Sequence, residues 1–140
     1  MNTKSYGIAV IATYVVMSIL GVASSMITME QMASYIAIAR PEAELMAMAP
    51  WMYVGYLIVT VIFCYIYVKG RESGGWIEGA RFGLLFGVLM SGISMVMYSA
   101  LPVDMTALIT EIIVTLIIYT VGGITVGTVY KPSSSAANDS

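Results

Sequence analysis

The sequence predicts an all-α integral membrane protein: a bundle of four transmembrane helices with a short interfacial helix on the outer side. Four long apolar runs carry that prediction: Gly7 to Thr28, Trp51 to Val68, Trp76 to Leu101 and Met105 to Val129. Each is close to the roughly 20 helical residues, at about 1.5 Å apiece, that span a hydrocarbon core of about 30 Å. Charge agrees with this. Only 10% of the residues are charged, against about 25% in a soluble domain, and nearly all of them lie at the ends of the runs. Aromatic residues mark the same boundaries. Trp51, Tyr53 and Tyr56 stand at one end of the second run and Tyr65 and Tyr67 at the other, while Trp76 opens the third and Tyr130 closes the fourth. Tyr and Trp favour the headgroup level because one end of the ring system is apolar and the other can hydrogen-bond.

In chain order, Lys4 precedes a first run of over 20 residues. A signal-peptide core is shorter, about 7 to 15 residues, so this run is read as a span. The connection from Met29 to Pro50 is long for a bundle and rich in Met, Ile and Leu. Within it Arg40-Pro41-Glu42 suits a helix start, with Pro in the first turn and an acid near the positive end. A short helix from Pro41 to Met48 is expected there, at the interface or folded over the bundle. Gly70 to Gly75 reads as a glycine-rich turn between the second and third spans. Pro102 lacks a backbone donor and Asp104 can cap the last helix, so this turn is tight. Residues 1–131 form one membrane domain, and the Ser, Ala, Asn and Asp tail at 132–140 has nothing to bury and is expected to be disordered.

Short loops rich in Lys and Arg stay cytoplasmic. Lys4, Lys69, Arg71, Arg81 and Lys131 fall on one side of the predicted membrane, and Arg40 alone falls on the other with Glu30, Glu42, Glu44 and Asp104. The chain is therefore expected to lie in the cell inner (plasma) membrane as a multi-pass protein with both termini cytoplasmic. The first loop is expected outside.

Lipid tails are as apolar as leucine, so close backbone approach and hydrogen bonds draw spans together. Gly79, Gly83, Gly87 and Ser91 recur at intervals of four in the third span, and Gly123 and Gly127 in the fourth. These small faces are candidate packing seams, either within the chain or between copies of it. The partners expected are the bilayer together with a second copy or other membrane subunits. No basic cluster points to nucleic acid.

Glu111 is the most informative single residue. It lies about 9 Å into the fourth span, counted from Met105. Ionisable groups at such depth are costly and usually face the bundle interior, and burial without a cation disfavours the charged form. Thr115 shares its helix face. Tyr56 and Ser94 are expected at similar depth, as are Ser24 or Ser25 and Tyr53. These groups make a candidate ion or proton site around Glu111, Thr115, Tyr56 and Ser94, or a hydrogen-bonded junction between helices. Glu78 and Arg81, three apart, can pair along the third span or meet lipid headgroups. Nine of the 12 methionines fall near the predicted outer side. Thioethers suit Cu(I), so Met46, Met48, Met95 and Met97 are candidate ligands, although Met also fills irregular apolar space.

The sequence has no histidine and a single cysteine, Cys64, within the second run. That excludes a Ser-His pair, a His-ligated metal or haem and an intrachain disulfide. No phosphate loop, dinucleotide fingerprint or arranged nucleophile and base is present. Neither enzymatic activity nor a cofactor is expected.

Four spans in a short chain invite comparison with small multidrug exporters, which carry an essential Glu in the first span. Here that span has no acid, and Tyr14 occupies its middle. The stretch Pro50-Trp51-Met52-Tyr53-Val54-Gly55-Tyr56, with Glu78-Gly79-Ala80-Arg81-Phe82-Gly83, resembles small bacterial inner-membrane proteins of unassigned function. That resemblance implies a fold and a compartment. The leading functional expectation is a non-enzymatic accessory or structural subunit. The alternatives are a small oligomeric transporter or channel using Glu111, and a methionine-rich copper-binding protein.

Overall fold

The computed structural model describes residues 1–133 of the 140. All regular structure among them is helical: α1 Thr3–Ile27, α2 Ala33–Ile38, α3 Glu42–Gly70, α4 Trp76–Ala100 and α5 Met105–Val129. The four long helices are each long and apolar enough to cross a membrane. They run up and down, so the N-terminus, the α3–α4 turn and the end of α5 meet at one end of the molecule, called here the terminal end. Hydrogen bonds close it: Asn2 N donates to the Tyr130 hydroxyl (3.3 Å) and Lys131 N to Ser5 Oγ (2.6 Å). Lys4, Lys69, Arg71, Arg81 and Lys131 belong to this end by their places in the helices. Glu30, Arg40, Glu42, Glu44 and Asp104 belong to the far end.

The helix boundaries have local causes. The Asn2 side chain accepts from Ser5 N at 3.2 Å, which starts α1 four residues ahead of the apolar run. Gly74 and Gly75 adopt φ of 78° and 95°, a left-handed turn that side chains with a Cβ resist. Asp104 Oδ1 accepts from Ala107 N at 2.8 Å and caps α5. That bond, and then the Ser34 hydroxyl, hold the Asp104 carboxyl below the usual carboxylate range.

The expected separate helix from Pro41 to Met48 is corrected. That segment is the first part of α3, which continues unbroken through Pro50. Proline removes one backbone donor, which leaves the Met46 carbonyl without its intrahelical partner. It does not stop the helix, because flanking turns are held at Pro41 and by good helix formers. The short far-end helix is instead α2, eight residues earlier in the chain. Residues 134–140, most of the predicted tail, lie outside the described residues.

The tightest helix pair is α4 with α5, followed by α1 with α5 and α1 with α3. A Cβ added at Gly79 would strike the Gly123 carbonyl, and one at Gly83 the Tyr119 carbonyl. From the other side, a Cβ at Gly123 would strike the Gly79 carbonyl and one at Gly127 the Gly75 carbonyl. Gly87 is looser, with Leu116 Cα 3.2 Å from such a Cβ. Ser91 is buried on the same face and donates to the Gly87 carbonyl at 2.8 Å, so its hydroxyl is satisfied within its own helix. Gly92, the next residue but on another face, has open space around it.

At the terminal half the fourth long helix joins the others. Phe63 of α3 is fully buried and meets Phe82 and Phe86 of α4 at 4.8 and 5.0 Å between ring centroids, and Tyr119 of α5 at 5.7 Å. Aromatic pairs at such spacing add about 0.5–1.5 kcal/mol beyond their buried area. Ala9 and Val10 of α1, Cys64, Tyr67 and Val68 of α3 and Val126 of α5 complete this core. The Tyr6 hydroxyl donates to the Val61 carbonyl at 2.8 Å and ties α1 to α3.

Gly83→Leu should lower stability by about 2 kcal/mol, within the range for overpacking a close contact. Gly92→Leu, on the open face, should leave it nearly unchanged. Denaturant titration of the detergent-solubilised protein measures both. Equal effects would show that the α4–α5 approach is not what holds the fold.

Candidate functional site

The site is built on the first turns of α5, the last turns of α4 and the short helix α2. Asp104 starts α5, and two turns later the helix points Glu111 at α4. There Ser94 Oγ donates to Glu111 Oε1 at 2.9 Å. The α4–α5 pairing sets the two residues opposite each other, and the longer Glu111 side chain reaches the short serine hydroxyl. Ser94 is buried, and the same hydroxyl lies 3.4 Å from the Met90 carbonyl.

The second oxygen is different. Glu111 Oε2 is buried and has no hydrogen-bond partner. Facing it from α2 is the Tyr35 hydroxyl, also buried and also without a partner. The two groups sit against each other without forming a properly aligned hydrogen bond. Burial foremost, and then the Glu111 carboxyl it faces, push the Tyr35 hydroxyl from its ordinary 10.0 up to about 12. The adjacent Ser34 also anchors α2, since Asp104 N donates to Ser34 Oγ at 3.2 Å. Two consecutive residues of a short helix thus dock on the start of α5.

No cation completes the cluster. Arg40 pairs with Glu44 at 3.4 Å on the surface, the only ion pair among the described residues, and the other basic residues belong to the terminal end. The result is three oxygen-bearing side chains, one of them a carboxyl, half-buried beneath α2. Such a set can bind a proton or a small monovalent cation, or serve as a polar clasp.

The other sequence-predicted residues are distributed as follows. Thr115 is half-buried one turn along α5 from Glu111 and makes no side-chain hydrogen bond to it. Tyr56 is 57% exposed on α3 and is not part of the cluster. Ser24 and Ser25 donate to carbonyls of their own helix, and Tyr53 is exposed and accepts from the Tyr14 hydroxyl through its backbone carbonyl. Met46, Met48, Met95 and Met97 are all exposed. Among the described residues no group of three or more His, Cys, Asp or Glu is placed to hold a metal ion. Glu78 does not pair with Arg81. Its carboxylate accepts from the backbone N–H groups of Glu72 (2.7 Å), Ser73 (3.0 Å) and Gly74, and from the Ser73 hydroxyl (3.1 Å).

Tyr35 is the residue that sequence reasoning missed. Its neighbours Ser34, Ile36 and Ile38 show no clear period, and two long helices of chain separate it from Glu111, which leaves no local signal. The fully buried Thr13, beside Cys64 at the α1–α3 contact, was missed for the same reason.

No protein-family model, curated protein or solved structure matches the chain, so the resemblance of its middle part stays an expectation and the site is read from its own residues.

Because the folded-state value of Tyr35 is raised, the neutral hydroxyl favours docked α2, in full below pH 10 and with loss as pH climbs toward about 12. A spin label at Ala37→Cys should gain mobility across that window in the wild-type background and stay level in Tyr35→Phe. The same alkaline loosening in both backgrounds would exclude Tyr35 as its origin.

Proposed function

We propose that this chain is a multi-pass protein of a bacterial inner membrane, with both termini cytoplasmic, acting as a non-enzymatic accessory or structural subunit. Four helices of membrane-spanning length and apolarity support the insertion. Five basic residues at the terminal end against one at the far end support the orientation.

The observation that carries the subunit reading is the far half of α3. Every residue from Trp51 to Ile58 is exposed, more than two full turns without a buried side chain, although the Tyr14 hydroxyl of α1 reaches the Tyr53 carbonyl. A helix inside a finished bundle buries one face at every depth. Lipid can cover Val54, Leu57 and Ile58. Tyr56 is another matter, since its Cα stands about 8 Å past that of Trp51, and its hydroxyl must reach back to the headgroup level or find another partner. A polar tip at that depth favours an acceptor on a protein neighbour over hydrocarbon. The α3 face is therefore read as the surface presented to another membrane-embedded helix.

Photocrosslinkers placed at Val54 and Leu57 should give discrete protein adducts in native membranes, to a second copy or to a different subunit. A crosslinker at Leu89, equally exposed on α4, should give lipid adducts. Lipid adducts at all three positions, with a monodisperse monomer after gentle solubilisation, would remove the subunit reading.

A second reading is cation or proton movement through the Glu111 cluster. It is favoured by the two buried oxygens, Glu111 Oε2 and Tyr35 Oη, that lack partners. In proteoliposomes the wild-type protein would then dissipate an imposed proton or sodium gradient, and Glu111→Gln would not. Flux equal to that of empty liposomes would end this reading.

A further inference from the structure

The turn between α3 and α4 leaves two guanidinium groups beside an apolar groove. Following from the membrane-embedded reading, we infer that this groove binds a phospholipid with an anionic headgroup at the terminal end.

The groove encloses about 540 Å³. Arg71 and Arg81 line it together with the acids Glu72 and Glu78, and Ile66, Ile77, Phe82 and Leu85 form walls along the two helices. Although α3 and α4 are consecutive, they share little backbone contact, so the space between them opens sideways toward the bilayer. An acyl chain can enter by that side while the headgroup stays level with the turn. The volume suits a headgroup, its glycerol and the first part of the chains.

Charge decides the headgroup. Helical spacing alone would pair Arg81 with Glu78 and neutralise both. In the structure the Glu78 carboxylate is already taken up by three backbone N–H groups and one hydroxyl of residues 72–74. A carboxylate held that way has little left to offer a guanidinium. Arg81 is exposed and has no acid within ion-pair distance. Arg71 makes no ion pair either, although Glu72 lines the same groove, so two arginines face one acid whose carboxylate is not already taken up. Its guanidinium packs against Gly74, donates to the Ser73 carbonyl at 3.5 Å and lies over the Tyr130 ring at 5.3 Å. Planar guanidinium groups bind phosphate oxygens with matched geometry. Lys69, over the Tyr65 ring at 5.8 Å, adds a third cation nearby.

A soluble anion would satisfy the arginines but would make no use of the apolar walls. An acidic peptide would meet the same four exposed or half-exposed apolar side chains with no route past the headgroup plane. A lipid uses both features, and basic pockets between spans at the cytoplasmic side are a recognised way of holding anionic headgroups.

The test is lipid retention by the intact protein, measured by native mass spectrometry after exchange into detergent containing phosphatidylglycerol and phosphatidylcholine in equal amounts. The wild-type protein should retain phosphatidylglycerol preferentially. Arg81→Gln should reduce that preference about five-fold, and Arg71→Gln/Arg81→Gln should reduce it further, following the worth of one surface cation toward an anionic lipid. Lys4→Gln/Lys131→Gln removes the same charge from the same end, away from this groove, and should leave the preference intact. Arg81 touches nothing that the fold depends on, so its single variant stays informative if the double variant is unstable. Equal retention of both lipids, or an equal loss in the Lys4/Lys131 variant, would overturn the inference. Competition by inorganic phosphate at the concentration of the lipid would do so as well, because a free anion would then be the ligand. Failure of the membrane reading itself is distinguishable, since the protein would then dissolve as a folded species without detergent.

Discussion

The close approach of α4 and α5 is the constraint from which the remaining structure follows. Glycine at positions 79, 83, 123 and 127 lets carbonyl oxygens of each helix occupy space that a Cβ would fill. Two consequences appear at opposite ends of the pair. At the terminal half, the short separation brings Phe86 to Tyr119, ring centroids 5.2 Å apart, with Phe82 6.0 Å from Phe86, and leaves a surface into which Phe63 of α3 fits. At the far half, it brings the short Ser94 side chain to Glu111. In the bilayer proposed for these helices, packing and hydrogen bonds must do what hydrophobicity does in water. This pair supplies both along one seam.

Charge is organised by saturation as much as by pairing. Glu78 stands near the start of α4, where the helix dipole already favours an anion, and it draws the preceding turn around itself through backbone N–H groups. That arrangement fixes the α3–α4 connection and also separates the acid from Arg81. At the other end Asp104 caps α5 while Ser34 Oγ accepts from its backbone N–H. One residue thus starts a helix and seats the strap that covers Glu111. Exposed Arg40 and Glu44 form the ordinary surface pair between them, worth little in stability.

Long apolar runs bounded by charge made the four long helices legible, and α5 begins and ends where the run Met105 to Val129 does. The intervals of four in α4 marked the face that meets α5, because helical periodicity places those residues together whatever they touch. Glu111 and Ser94 were also legible, as polar groups at matching depths on antiparallel helices. What escaped were the features set by the path of a loop. Proline at 50 reads as a boundary, yet a helix tolerates the loss of one donor when the turns around it are held. Tyr35 reads as a loop residue, since nothing near it in sequence says that α2 folds over α5. The misassigned Glu78–Arg81 pair has a related cause. Spacing on a helix identifies which side chains can meet, but backbone donors from outside the helix compete for the same carboxylate.

The two halves of the molecule are unlike for a physical reason. The terminal half has four helices around an aromatic core, with Thr13 Oγ1, beside Cys64, its one buried side-chain oxygen without a hydrogen-bond partner among the described residues. In the far half α3 buries no side chain from Trp51 to Ile58, and α2 covers the α5 side instead. The unpartnered oxygens of Glu111 and Tyr35 lie in that same half. A buried carboxyl without a full set of partners is a local cost, and it is tolerated most easily where packing is incomplete and a further component can still approach. The exposed α3 face and the under-satisfied acid are therefore two aspects of one unfinished layer. The closed terminal half supplies the rigidity that lets such a layer persist.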